Sequence, residues 1–142
     1  MATGIEANIL EALSARMAAL VLSSPLPVSW ANVDYVPITG TGYITTQQLP
    51  NQTMQASLGT TGKNRHRGIF QISVFWPKGK GQVTPLGTVG EIITHFKRGT
   101  VLTAGGISVR IDAPPYANPA MVDGAFFMTP ISVPYVAETD NP

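Results

Sequence analysis

The sequence predicts an α+β fold: a single domain in which an antiparallel or mixed β-sheet carries an N-terminal helix and a second helix packed on it. Three observations carry this. Ile5, Ile9, Leu13, Met17 and Leu20, and again Leu86, Val89, Ile92, Ile93 and Phe96, recur at three- and four-residue steps, the spacing of a helix with one buried face. Between and after these stripes, short runs of β-branched and aromatic residues are bounded by glycine and proline, as strands are. At 142 residues the chain suits one core and needs no second.

Thr3-Gly4-Ile5-Glu6 has the form of a capping box, so the first helix begins there. Leu10 and Val21 fall beside its buried stripe, Glu6, Glu11 and Arg16 face away, and Ser23-Ser24-Pro25 stops it near residue 22. Val28, Trp30, Val33 and Tyr35, set among Pro25, Pro27 and Pro37, predict a short irregular strand and then a loop. Residues 43–49 form a second strand, and residues 53–58 a third in which Met54, Ala56 and Leu58 alternate. Residues 59–67 have almost no apolar content and read as a mobile exposed loop.

The best-bounded strand is residues 68–76, with Ile69, Phe70, Ile72, Val74, Phe75 and Trp76 between the punctuating Gly68 and Pro77. After a turn at residues 78–82, Thr84 reads as an N-cap and Pro85 as the first helical residue, where its missing donor is not needed. Lys97 and Arg98 suit the C-terminal end of that helix, and Gly99 the left-handed position after it. Residues 101–103 and 107–111 make a hairpin about Ala104-Gly105-Gly106. Residues 114–119 are a connector, residues 124–136 a last strand broken by Pro130 and Pro134, and residues 137–142 a flexible tail of the single domain 1–142.

Charged residues are only 12% of the chain, about half the usual ~25%. So low a charge density predicts a surface partly covered by self-assembly, with a neutral Thr/Ser/Gln surface as the plainer alternative. The net charge of +1 is not the strongly basic signature of a nucleic-acid-binding domain. The absence of cysteine excludes disulfides, a zinc ribbon and a thiol nucleophile. Nothing near the N-terminus has the form of a signal peptide and no run reaches the roughly 20 apolar residues of a membrane helix. The expectation is a soluble protein made and used without secretion.

No catalytic, cofactor or metal site is legible. His66 falls in the basic loop and reads as a solvated surface histidine, while His95, between Ile93 and Phe96, reads as a capping or half-buried structural one. The carboxylates are dispersed, and Gly79-Lys80-Gly81 lacks the spacing of a phosphate loop. What remains is charge: Lys63, Arg65, His66 and Arg67 before the main strand, Lys78 and Lys80 after it. A strand of nine residues is about 30 Å long at ~3.3 Å per residue, so the two clusters do not make one patch. Contact with a polyanion or a neighbouring subunit and plain solvation both fit them. Phe70, Phe75 and Trp76 read as core rather than as a base-stacking platform.

The order of motifs carries a resemblance. Trp30-Ala31-Asn32, Gly42-Tyr43-Ile44, Gly68-Ile69-Phe70-Gln71-Ile72-Ser73-Val74, Pro77-Lys78-Gly79-Lys80-Gly81, Phe96-Lys97-Arg98-Gly99 and Pro130-Ile131-Ser132-Val133-Pro134-Tyr135, behind an N-terminal helix, together resemble the tail terminator-like proteins of long-tailed bacteriophages, from about Ile5 to Val136. The resemblance implies a structural virion protein without cofactor or catalytic residues. Such a subunit forms a homo-oligomeric ring, commonly a hexamer, at the head-proximal end of the tail, and is assembled in the host cytoplasm. The ring caps the tail tube protein, ends its polymerisation, meets the head–tail connector protein, and lets genomic DNA pass its lumen without sequence-specific binding or contact with a membrane. Lys63, Arg65, His66, Arg67, Lys78 and Lys80 are then the candidate ring, tube or DNA contacts. A head–tail connector or tube protein of similar fold, a small nucleic-acid-binding module and a small hydrolase built on His66 or His95 are the alternatives.

Overall fold

The computed structural model describes residues 4–23, 25–30, 36–37, 40–60, 62–79 and 81–140. Thr3 of the expected capping box, Ala31 to Tyr35 and Lys80 lie outside them. Two helices, α1 (Ile5–Ala18) and α2 (Val83–His95), lie on one face of a curled nine-stranded sheet. The strands are β1 (Val28–Ser29), β2 (Tyr43–Pro50), β3 (Met54–Gln55), β4 (Lys63–Pro77), β5 (Val101–Ala104), β6 (Ile107–Ile111), β7 (Tyr116–Ala117), β8 (Met121–Asp123) and β9 (Phe126–Asp140). The order is β1-β2-β4-β9-β6-β5, with β3 added to β4, and β7 and β8 to β9. Only β1 and β2 are parallel among these pairs, so the sheet is mixed and the expected α+β class holds.

The centre of the sheet is the antiparallel pair β4 and β9, in register from Lys63 opposite Asp140 to Pro77 opposite Phe126. Phe70, Ile72 and Val74 on β4 and Ile131, Val133 and Tyr135 on β9 alternate onto the helical face, where Ile9, Leu13 and Met17 of α1, Val89 and Ile92 of α2, and Phe96 complete the core. Tyr43, Phe75 and Phe126 stack separately on the other face, the first two with ring centroids 4.5 Å apart.

Four expectations about the strands are corrected. Residues 63–67 are not a loop but the first third of β4, and residues 137–140 are not a tail but the end of β9; each polar end supplies the other's ladder. Pro130 and Pro134 do not break β9. The Pro130 carbonyl accepts the Asn118 N–H at 2.8 Å, so the backbone polar groups of Pro130, and of Pro134 four residues on, point away from β4. On that side β8 pairs with residues 126–128, β7 with 131–132 and β6 with 135–137. Both prolines thus fall in gaps between partners, where no donor is wanted. The expected third strand shrinks to β3, after which the Ser57 hydroxyl accepts the Lys63 N–H at 2.6 Å and turns the chain.

The helices also shift. α1 ends at Ala18, before the expected residue 22, and Val21 is 88% exposed rather than beside the buried stripe. α2 starts at Val83, two residues before the expected Pro85, with Leu86 N–H on the Gln82 carbonyl, and Pro85 sits in the first turn, whose donors have no helical partner anyway. Its buried stripe is therefore Pro85, Thr88, Val89 and Ile92, which leaves Leu86 exposed. Gly99 has the expected positive φ, +92°, but in the turn from Lys97 to Thr100 rather than as the helix cap. The Gly105-Gly106 hairpin turn is as expected, both residues having positive φ.

The two helix C-termini are tied to each other. Arg16 donates through Nε and Nη2 to the His95 carbonyl at 3.1 and 2.8 Å, and His95 Nε2 lies 2.7 Å from the Arg16 carbonyl. His95 thus has the half-buried structural role expected of it. Replacing Arg16 by Ala should lower unfolding stability by about 1.5 kcal/mol, the scale of a charged hydrogen bond to a carbonyl at a helix end. Chemical denaturation measures this, and Arg16→Lys should recover only part of it.

Candidate functional site

The expected site residues divide into three groups. Lys63, Arg65 and Arg67 share the helix-free face of β4, two residues apart, and each meets an acid. Lys63 Nζ lies 2.6 Å from Asp140, Arg65 holds one Glu138 oxygen through Nε at 3.1 Å and Nη2 at 2.9 Å, and Arg67 Nη2 lies 3.2 Å from Asp112. Two of these acids come from the C-terminal end of β9, and Asp112 follows β6. What the sequence shows as a basic loop is therefore a ladder of exposed ion pairs, locally neutral, and it is a poor polyanion footprint. Each pair is exposed to solvent on at least one side, so its partner can be exchanged.

His66 belongs to the opposite face and is buried, 7% exposed, which corrects its reading as a solvated residue. Its Nδ1 lies 3.2 Å from the Thr53 hydroxyl and 3.7 Å from Glu6, and its Nε2 lies 2.9 Å from the Thr139 hydroxyl. Gln48 continues the network, donating to Glu6 at 3.0 Å and to the Tyr135 hydroxyl at 3.2 Å. The network joins α1, β2, the approach to β3, β4 and β9. This is the nearest approach to a hydrolytic constellation, yet with both ring nitrogens occupied and the ring enclosed, a substrate atom has no path to it. Its chemistry is positional.

Burial pushes the Tyr135 phenol above its ordinary 10.0, and the Glu6 charge adds to the rise, against the Gln48 bond. The Asp140 hydrogen bond and charge likewise raise Lys63 above 10.5. As pH climbs past 10, the unfolded chain releases these protons before the folded one, so the folded state binds more protons and stability falls with rising pH. The melting temperature should fall as pH rises through and above 10, and Tyr135→Phe should make that fall shallower. An equal drop in the variant would remove Tyr135 as a cause.

Lys78 is exposed in the turn after β4, its backbone N–H donating to the Ala125 carbonyl at 3.0 Å, and Lys80 lies outside the described residues. Lys63, Arg65 and Arg67 thus lie at one end of β4 and Lys78 just beyond the other. Among the described residues no three His, Asp or Glu side chains group as a metal site, and no helix is long and apolar enough to cross a membrane.

Sequence reasoning missed two apolar surfaces. One is the arm at the Lys63 end, where Met54 is 63% and Leu58 93% exposed. The other is a groove of about 760 Å³ between the end of α1 and the outer face of α2, lined by Ala19, Leu20, Val21, Gly87, Gly90, Glu91, Thr94 and His95. The signal for the groove was present: α2 has a single charged residue, Glu91, along its whole length, and a helix apolar on most sides is covered on most sides.

A family model described as phage tail terminator protein matches residues 8–135. No curated protein matches. One solved structure, whose designation names no function, is 26% identical, covers 91% of this chain and 92% of its own, and superimposes with a TM-score of 0.73. A chain from a structure described as the virion of a native gene transfer agent particle shares the fold at 18% identity, with 98% and 99% coverage and a TM-score of 0.58.

Proposed function

The chain belongs to the phage tail terminator protein family, a structural role in the phage tail, and from that premise we propose that it forms a closed homo-oligomeric ring, a hexamer, on the head-proximal end of the tail tube. The ring ends polymerisation of the tube protein, meets the head–tail connector protein and lets genomic DNA pass through its lumen without reading its sequence. The protein performs no catalysis and needs no cofactor, and it assembles in the host cytoplasm into the virion. The observation that carries this reading is the family match across nearly the whole fold, from α1 to β9. The low charge fraction and the two exposed apolar surfaces support it, since monomers seldom leave such surfaces open.

Within the ring, Lys63, Arg65 and Arg67 serve contacts with a neighbouring subunit, and Lys78 and Lys80 face the tube or the DNA, while His66 acts from inside by holding the arm in place. Replacing Lys63, Arg65 and Arg67 together by Ala should lower the yield of capped tubes. Unchanged ring formation, capping and infectious yield would remove that end of β4 from the contact. For the whole reading, cells infected without this chain should accumulate tubes of uncontrolled length. Purified protein should stop their growth and appear by negative stain as a collar at one end. Tubes of equal length with and without the protein would overturn it. An oligonucleotide shifted at moderate salt, with steep salt dependence, would point instead to a nucleic-acid module.

A further inference from the structure

A ring of identical copies is a head-to-tail assembly, so each chain must carry two different surfaces that fit each other. We propose that the ring closes when the arm between β3 and β4 of one copy seats Leu58 in the α1–α2 groove of the next. The inference rests on the ring reading above and names the contact that closes it.

The arm is built to hold an apolar side chain outward. Its turn is closed by the Gly62 N–H on the Gly59 carbonyl at 3.2 Å and the Lys63 N–H on the Ser57 hydroxyl at 2.6 Å, which leaves Leu58 pointing into solvent. The groove is shallow and open, with room for one. Its floor is Gly87 and Gly90, where an added Cβ would meet nothing within 4 Å, and its wall is the exposed Val21.

Charge and position agree with the fit. From Met54 to Lys63 the arm carries one charge, Lys63, and the groove carries one charged side chain, Glu91. Lys63 remains half exposed beside Asp140, so it can turn to a second carboxylate. The N-terminal end of α1 meets the base of the arm, because Glu6 and Thr53 share His66, and its C-terminal end forms the groove wall. Fourteen helical residues at about 1.5 Å each make α1 about 21 Å long. With the arm base at one end of that helix and the groove at the other, a neighbouring copy in head-to-tail contact can bring the two surfaces together.

Because the chain has no cysteine, introduced thiols report on this contact alone. Leu58→Cys protein mixed with Val21→Cys protein and treated with a short bismaleimide should give cross-linked pairs, with either variant alone at least tenfold less linked. The doubly substituted chain should give a ladder of multimers ending at the closed ring. Leu58→Asp, at a site nearly free of contacts, should leave the monomer folded and reduce ring formation at least tenfold. Rings that form without the Leu58–Val21 link, or that survive Leu58→Asp, would overturn the contact while leaving the ring reading intact. So would Leu58→Cys linking to itself, which marks a two-fold contact. If no ring forms either in solution or on tail-tube ends, the ring reading fails and the contact with it.

Discussion

Gly68→Ala is expected to lower the unfolding free energy by about 3 kcal/mol, at the upper end of what one added methyl does in a filled core. Gly68 stands opposite Tyr135 in the middle of the sheet, and the tyrosine side chain lies across the space a side chain at 68 would fill. An added Cβ would collide with the Tyr135 hydroxyl and lie 2.6 Å from the Leu49 carbonyl oxygen and 2.7 Å from Tyr135 Cζ. The carbonyl is backbone in β2, paired with β4 across its full length, and cannot retreat. Tyr135 is fully buried and hydrogen-bonded by Gln48, so its ring has nowhere to go. Urea denaturation reads the loss. A loss below about 1 kcal/mol would mean that the sheet relaxes around the methyl. Pairing Gly68→Ala with Tyr135→Leu should recover part of the loss, because removing the ring opens the space, and this separates a local collision from a general strand effect.

Phe96→Ala should be at least as damaging, about 3–5 kcal/mol, the range for deleting a fully buried aromatic. Phe96 closes α2, its N–H on the Ile92 carbonyl at 3.1 Å, and its ring lies 6.0 Å from that of Phe70 on the central strand. Both rings are wholly inaccessible to water. This pair pins the C-terminal end of α2 to the sheet, and the same end is tied to α1 by Arg16 and His95. Phe96→Leu should cost less than half as much, since it keeps most of the buried volume. The groove depends on α2 staying in place, so the alanine variant should also weaken assembly at temperatures where the monomer is still folded. A variant as stable as the parent would show that α2 is held elsewhere.

How much of this was legible in the chain differs from element to element. Both helices, the β5–β6 hairpin and the core strand from Ile69 to Trp76 could be read because their signals are local: apolar periodicity and glycines in the left-handed region at a two-residue turn. The family resemblance could be read from motif order, and the match over residues 8–135 agrees with it. The candidate site was legible only as composition. That Lys63, Arg65 and Arg67 are basic is evident. That each faces an acid 45 to 77 residues away in the chain is not, because the pairing depends on the β4–β9 and β6–β9 registers.

The sequence by itself determined the class, the two amphipathic helices, the central strand and the low charge that favours assembly, all properties of neighbouring residues or of bulk composition. Tertiary structure alone decided where the strands end. A polar strand end such as residues 63–67 has no apolar pattern of its own and becomes a strand only when Asp140 and Glu138 arrive across from it. Gly68 resembles a boundary in the sequence because its partner, the Tyr135 ring, is 67 residues away. Pro130 and Pro134 resemble breaks because the gaps that accommodate them belong to other strands. In each case a backbone or side-chain requirement is met by a distant segment, and only the folded chain brings that segment near.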